Sequence, residues 1–271
     1  MHKQNGKANE GKTMKKRVSA IYTLLILAVT MMGAATELRA AGAASAVDID
    51  NQSYNTVGIG RQVWMKENLN VSRYRNGDQI RQAKTNKEWL DAGAKGEGAW
   101  CYYGNDPGNA KKYGKMYNYF AVKDPRGLAP LGWHIPTAEE WQTIVKNLGG
   151  ESVAGGKMKS KEAGSWKYPN HDASNSSGFT ANPGGFRGMT DLEFKFAGEN
   201  AYFWSSSEFS ATQSWCALLH FEHPNVIFTA EEKFEGSSVR CIRDTDMLGK
   251  AMKKTGVMRT SQLQKTSRVK A

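Results

Sequence analysis

The stretch Pro130-Leu131-Gly132-Trp133-His134-Ile135-Pro136-Thr137-Ala138-Glu139-Glu140-Trp141 decides how this chain is read. Thr137 stands three residues before Glu140. That is capping-box spacing, in which the hydroxyl accepts from the N3 amide and the glutamate reaches back to the cap's own N–H. Beyond the cap, Trp141, Ile144, Val145 and Leu148 fall at i, i+3, i+4 and i+7, one apolar stripe at helical period. Gly149-Gly150 ends the helix. Pro136 and Trp133 make its entry stiff and bulky, and His134 between them is expected to be a packed, hydrogen-bonded residue. No other helix in the chain is as clear, so the short strands and glycine-rich loops around it are read as organised on it.

Outward from that helix, Thr85 and Glu88 repeat the capping box ahead of Trp89-Leu90, and this second helix ends by Gly93. Val47 to Ile59 reads as a first strand, with Gly60 to Met65 as its hairpin partner. Ala99 to Tyr103 reads as a buried strand closed by the turn cluster Gly104 to Gly108. Tyr113 to Val122 fits a strand or a helix. Downstream, Gly155 to Gly185 has no regular period and is expected to be a long polar loop. Strands follow around Phe194 and Phe196, at Tyr202 to Ser205, at Trp215 to Phe221 and at Val239 to Asp244. Two short helices among many short strands make the fold class α+β.

Charge sets the boundaries. The chain has 271 residues and a formal charge of +11. Seven basic and two acidic residues precede position 47, and seven basic and one acidic follow position 244, leaving 23 of each sign between. All eight tryptophans lie in that neutral span. Residues 47–244 are therefore expected to form one domain and 245–271 a flexible basic tail. Basic ends without a basic, aromatic-interleaved face argue against a nucleic-acid partner. Within 1–46, Lys15-Lys16-Arg17 precedes the apolar run Ile21 to Met32 and the small-residue site Ala44-Ser45-Ala46. That order predicts a signal peptide and export, with membrane contact only through this segment before cleavage. An exported chain permits disulfides, and Cys101, Cys216 and Cys241 allow three pairings with one thiol left over.

Eight blocks in order resemble a known family. They are Gln62-Val63-Trp64-Met65-Lys66-Glu67-Asn68-Leu69, Trp100-Cys101-Tyr102-Tyr103, Tyr113-Gly114-Lys115-Met116-Tyr117-Asn118 and Gly132-Trp133-His134-Ile135-Pro136-Thr137, then Ser177-Gly178-Phe179, Pro183-Gly184-Gly185-Phe186-Arg187, Phe203-Trp204-Ser205-Ser206-Ser207 and Ser238-Val239-Arg240-Cys241. Together they resemble the Fibrobacter succinogenes major paralogous domain, a module of exported Bacteroidetes and Fibrobacter proteins. That family is similar in turn to the C-type-lectin-like group that includes formylglycine-generating-enzyme-like domains. The resemblance implies a C-type-lectin-like fold and favours Cys101 with Cys241 as the disulfide. It implies no general activity. Cys216 departs from the family pattern, as do the residues after Asp244.

Three metal chemistries bear on these residues. A copper site needs a thiolate pair, but Cys216 lies twenty-five positions before Cys241, so a disulfide or buried thiols is expected instead. His220 and His223 lie in or near one strand with Glu222 between them; alternation puts His220 and Glu222 on one face, but a third zinc ligand is not located, so structural or surface histidines and no metal are expected. Calcium needs six or more oxygens, and serines stand where acids should in Trp204 to Glu208. What remains is a non-catalytic binding module without cofactor, secreted or at the cell surface, recognising a glycan or a protein through its loops. Its candidate ligand residues are Trp166, Tyr168, Asn182, Arg187 and Trp204, since aromatics beside amides suit a sugar face. The alternatives are a structural module of a surface assembly docked by its basic tail, or an enzyme of the formylglycine-generating type.

Overall fold

The computed structural model describes residues 45–189 and 192–244. The expected tail lies outside them, as does the expected signal segment except for its last two residues. Among the described residues, no helix is long and apolar enough to cross a membrane.

In chain order, β1 (Ala46–Val47) pairs with β2 (Ser53–Tyr54), and β3 (Thr56–Ile59) forms a hairpin with β4 (Gln62–Met65). Gly60 turns that hairpin with φ +61°, a left-handed conformation glycine adopts without strain, and a Cβ there would sit 2.2 Å from Nδ2 of Asn147, so that side chain would have to move. Then come β5 (Arg81–Gln82), α1 (Asn86–Ala94), β6 (Ala99–Cys101), α2 (Ala110–Tyr113), β7 (Met116–Tyr117) and α3 (Tyr119–Lys123). The ambiguous aromatic stretch is thus both strand and helix. It switches at Asn118, whose side chain caps α3 by accepting from Ala121. Next are β8 (Trp133–His134), α4 (Ala138–Asn147), α5 (Glu151–Met158), β9 (Gly184–Arg187), β10 (Phe194–Ala197), β11 (Asn200–Glu208), β12 (Gln213–His220), β13 (Val226–Glu232), β14 (Ser237–Ser238) and β15 (Ile242–Arg243).

Nine strands form one mixed sheet, ordered β10-β9-β11-β14-β7-β6-β5, with β12 and β13 branching from β11. A second sheet runs β3-β4-β15-β8. The architecture is α+β, strand-rich, with short helices and open sheets. Both capping boxes form: the Glu140 amide donates to Thr137 Oγ1 at 3.2 Å and the Thr137 amide to Glu140 Oε2 at 2.9 Å, and Thr85 and Glu88 repeat the pattern. Three expectations change. The single strand expected over Val47 to Ile59 is three short pieces, β1, β2 and β3, because the chain turns back on itself between β1 and β2. The start of the expected loop, 151–158, is the helix α5, and the strand expected over 239–244 is two short pieces joined by 239–241.

The apolar stripe of α4 packs on β11 and β12. Trp141 lies 4.8 Å from Trp64, 5.6 Å from Phe203 and 5.9 Å from Phe179, ring centre to ring centre, and all four rings are buried. Ala201, Ala217, Leu219 and Val226 complete this core, while a second cluster of Ala83, Trp89, Ala92, Ala99, Cys101 and Met116 sits under α1. Arg240 is buried against the first core. It donates to Asn68 Oδ1 at 2.6 Å and 3.1 Å and to the carbonyls of Phe179 at 2.7 Å and Met65 at 3.2 Å. Burial pushes its pKa down to about 9, with the Glu67 carboxylate opposing the shift. This arginine ties the closing strand, the β3–β4 hairpin and the loop before β9 together.

Candidate binding groove

Along β12, Trp215, Ala217 and Leu219 share one face, since successive side chains of a strand alternate. Ala217 and Leu219 lie in the core under α4 and α5. Trp215 is the next residue on that face toward the strand's start, and it is only half-buried. Its cross-strand partner is Ala230, too small to cover the indole. Phe209, largely exposed, stands edge-on to Trp215 at 4.9 Å and fixes the ring.

A groove of about 700 Å³ opens beside this indole. One wall is the first turns of α4, with Ala138, Glu139 and Gln142. Another is the start of α5, with Glu151 and Ser152. The floor is Val226, Ile227 and Phe228 of β13, and Asn225 closes the rim. No lining residue is basic. Glu139 and Glu151 are exposed first-turn residues, where a carboxylate suits the positive end of the helix dipole. The groove therefore presents one aromatic platform, a strip of apolar floor, two amides, a hydroxyl and two carboxylates.

The five ligand residues expected from sequence are not assembled into one face. Trp204 and Arg187 are each 0 % exposed. Trp204 donates to the Tyr117 carbonyl at 2.8 Å, and Arg187 stacks over Trp89 at 4.6 Å and donates to Asn86 at 2.8 Å. Both are internal braces. Trp166 is buried and donates to the Ala181 carbonyl at 3.0 Å. Asn182 is half-buried and occupied, accepting from Ser165 and donating to the Lys112 carbonyl. Tyr168 alone is open, at 93 % exposure. Sequence shows which residues could stack on a sugar, not which survive burial, and the groove residues come from four separate segments.

The cysteines also depart from expectation. All three are buried and free, so the Cys101–Cys241 bridge is not formed in this structure. Burial pushes the Cys101 thiol up to about 11, and raises Cys216 and Cys241 further. Cys216 stands in β12 opposite Trp204 and Thr229, whereas Cys241 follows Arg240 just before β15. Protonated, buried thiols are the reverse of what a reactive thiolate requires.

His134, expected to be packed, is half-buried and held at both nitrogens. Nδ1 faces Asp244 Oδ1 at 2.6 Å, and Nε2 faces the Glu140 carboxylate at 2.9 and 3.0 Å. Its pKa is raised chiefly by the Glu140 hydrogen bond, against burial and with help from Asp244. Glu140 is lowered: burial opposes this, but its bonds with His134 and Thr137 together prevail. The imidazole thus clips the end of the domain to the capping box of α4.

Residues 57–243 match the family model described as the Fibrobacter succinogenes major domain. A search of curated proteins finds no match.

Proposed function

The chain belongs to the Fibrobacter succinogenes major domain family, and from that premise we propose that it is an exported, non-catalytic, C-type-lectin-like module that binds neutral glycans at the Trp215 groove. The carrying observation is the half-exposed indole beside Gln142, Asn225, Glu139 and Glu151, with no cation among the lining residues. A pyranose ring offers an apolar C–H face to an indole and a belt of hydroxyls to amides and carboxylates, which is the pairing a sugar site uses. Two carboxylates in the groove repel uronates and sulfated chains, so the ligand is a neutral or amino sugar. Holding a ligand suits the rest of the molecule: the thiols are buried and protonated, and both nitrogens of His134 are engaged by carboxylates.

The test is isothermal titration of the purified chain with cello-, chito- and manno-oligosaccharides, with oligogalacturonate as the acidic comparison. Binding to at least one neutral series with none to oligogalacturonate is expected. Preference for the acidic chain, or no binding to any sugar alongside saturable binding of a surface protein to the same groove, would overturn the glycan reading.

A further inference from the structure

We infer that the turn joining β12 to β13 is a binding site for one divalent transition ion of the zinc class, held by His220, Glu222 and His223. The sequence offered His220 and Glu222 by strand alternation and no third ligand. In the structure β12 ends at His220, and the chain reverses immediately after it. It is this turn, not strand alternation, that gathers the ligands, and it brings in His223. One ligand atom from each of the three residues lies within 4.8 Å of the others. Zinc with bonds of about 2.0–2.2 Å in a tetrahedron needs its ligand atoms roughly 3.3–3.6 Å apart. The remaining contraction falls on Glu222 and His223, which are exposed and free to rotate about their side-chain bonds. The two imidazoles already stack, 5.3 Å apart and 25° from parallel.

The backbone beneath is fixed. Lys159 is buried, and its ammonium donates to the carbonyls of His220 at 3.0 Å, His223 at 3.0 Å and His171 at 2.9 Å. All three ammonium protons are spent on carbonyls, so the backbone of both histidine ligands is pinned, with His223 exposed and His220 partly so. The Glu222 amide donates to Nδ1 of His220 at 3.1 Å. In the metal-free chain that bond uses the Nδ1 lone pair and holds the ring neutral with its proton on Nε2, so an ion must compete with it. A bound ion displaces the amide, which at an exposed turn passes to water. Two imidazoles and one carboxylate favour zinc, nickel or copper over calcium or magnesium, and the fourth position is left to water.

The experiment titrates zinc chloride into the metal-free, untagged full chain by calorimetry, with calcium chloride as comparison, and follows the histidine ring resonances by NMR. Uptake of one zinc ion per chain is expected, with ring-nitrogen shifts at His220 and His223 and no response to calcium. The variant H220A/H223A should lose this uptake entirely while its far-UV circular dichroism is unchanged, and E222Q should weaken it. If the double variant does not fold, H223N alone, altering one exposed side chain, should lose at least tenfold in affinity. Absence of zinc uptake by the wild type, or uptake retained in H220A/H223A or H223N, overturns the assignment.

Discussion

Replacing His134 with glutamine tests how the end of the domain is held. The imidazole makes one contact at 2.6 Å to Asp244 and one at 2.9 Å to Glu140, with side-chain exposures of 35 % for His134, 39 % for Asp244 and 26 % for Glu140. At that exposure each charged pair is discounted for solvent to roughly 0.5–1 kcal/mol, so the protonated clip contributes about 1–2 kcal/mol. The folded pKa of His134 is raised above its ordinary 6.5. Its contribution is therefore complete below pH 6.5 and is lost as pH rises through the folded value. The folded pKa of Glu140 is depressed below 4.5, so its share is present above pH 4.5 and is lost as pH falls through the folded value. The clip is thus strongest between the two ordinary values. Urea denaturation of wild type and His134→Gln at pH 6 and at pH 9 gives the difference of differences. Lys115 and Lys159, both pushed down to about 8 by burial, titrate in the same window but cancel between the two proteins. Wild type should exceed the variant by about 1–2 kcal/mol at pH 6 and by much less at pH 9. An equal gap at both pH values would refute the charged clip.

Three other outcomes follow from the core and the thiols. Trp141→Ala should cost about 3–5 kcal/mol and lower Tm by roughly 6–20 °C in calorimetry, because three buried rings lose their common partner; a loss below about 1 kcal/mol would mean the four-ring core is not the main one. Thiol titration without reductant should find no reactive cysteine in the native chain and three in denaturant, whereas one in denaturant would restore a disulfide. Gly155→Ala should destabilise by about 1–3 kcal/mol, since its Cβ would meet the Asn225 carbonyl at 2.3 Å, and a neutral result would show that the 224–225 backbone yields freely.

The elements fixed by local chemistry were legible in sequence. Thr85 with Glu88 and Thr137 with Glu140 announce two helices because a capping box is complete within four residues. The β3–β4 hairpin is equally local. Helix α5 was hidden because Gly155 and Gly156 carry the poor helix propensity of a loop. Their purpose lies elsewhere in the chain: a Cβ at Gly155 would strike Asn225, and one at Gly156 would lie 2.7 Å from the Asp172 carbonyl. Only glycine lets those backbones approach, and nothing local records that. The candidate site failed for the same reason. Trp204 and Trp215 look alike in sequence, yet β11 lies inside the sheet between β9, β12 and β14, whereas Trp215 sits past the core opposite Ala230. His223 stands close to His220 in sequence, but strand period does not bring it onto the face of His220 and Glu222; the turn does.

The most direct measurement is the affinity of Trp215→Ala for the neutral oligosaccharide that wild type binds best, beside Tyr168→Ala as control. Tyr168 is the more exposed ring but stands outside the groove. Loss of the buried aromatic contact should cost about 2 kcal/mol, roughly a thirtyfold rise in Kd, with Tyr168→Ala unchanged. Unaltered affinity in Trp215→Ala, or the loss appearing in Tyr168→Ala instead, would contradict the groove as the sugar site.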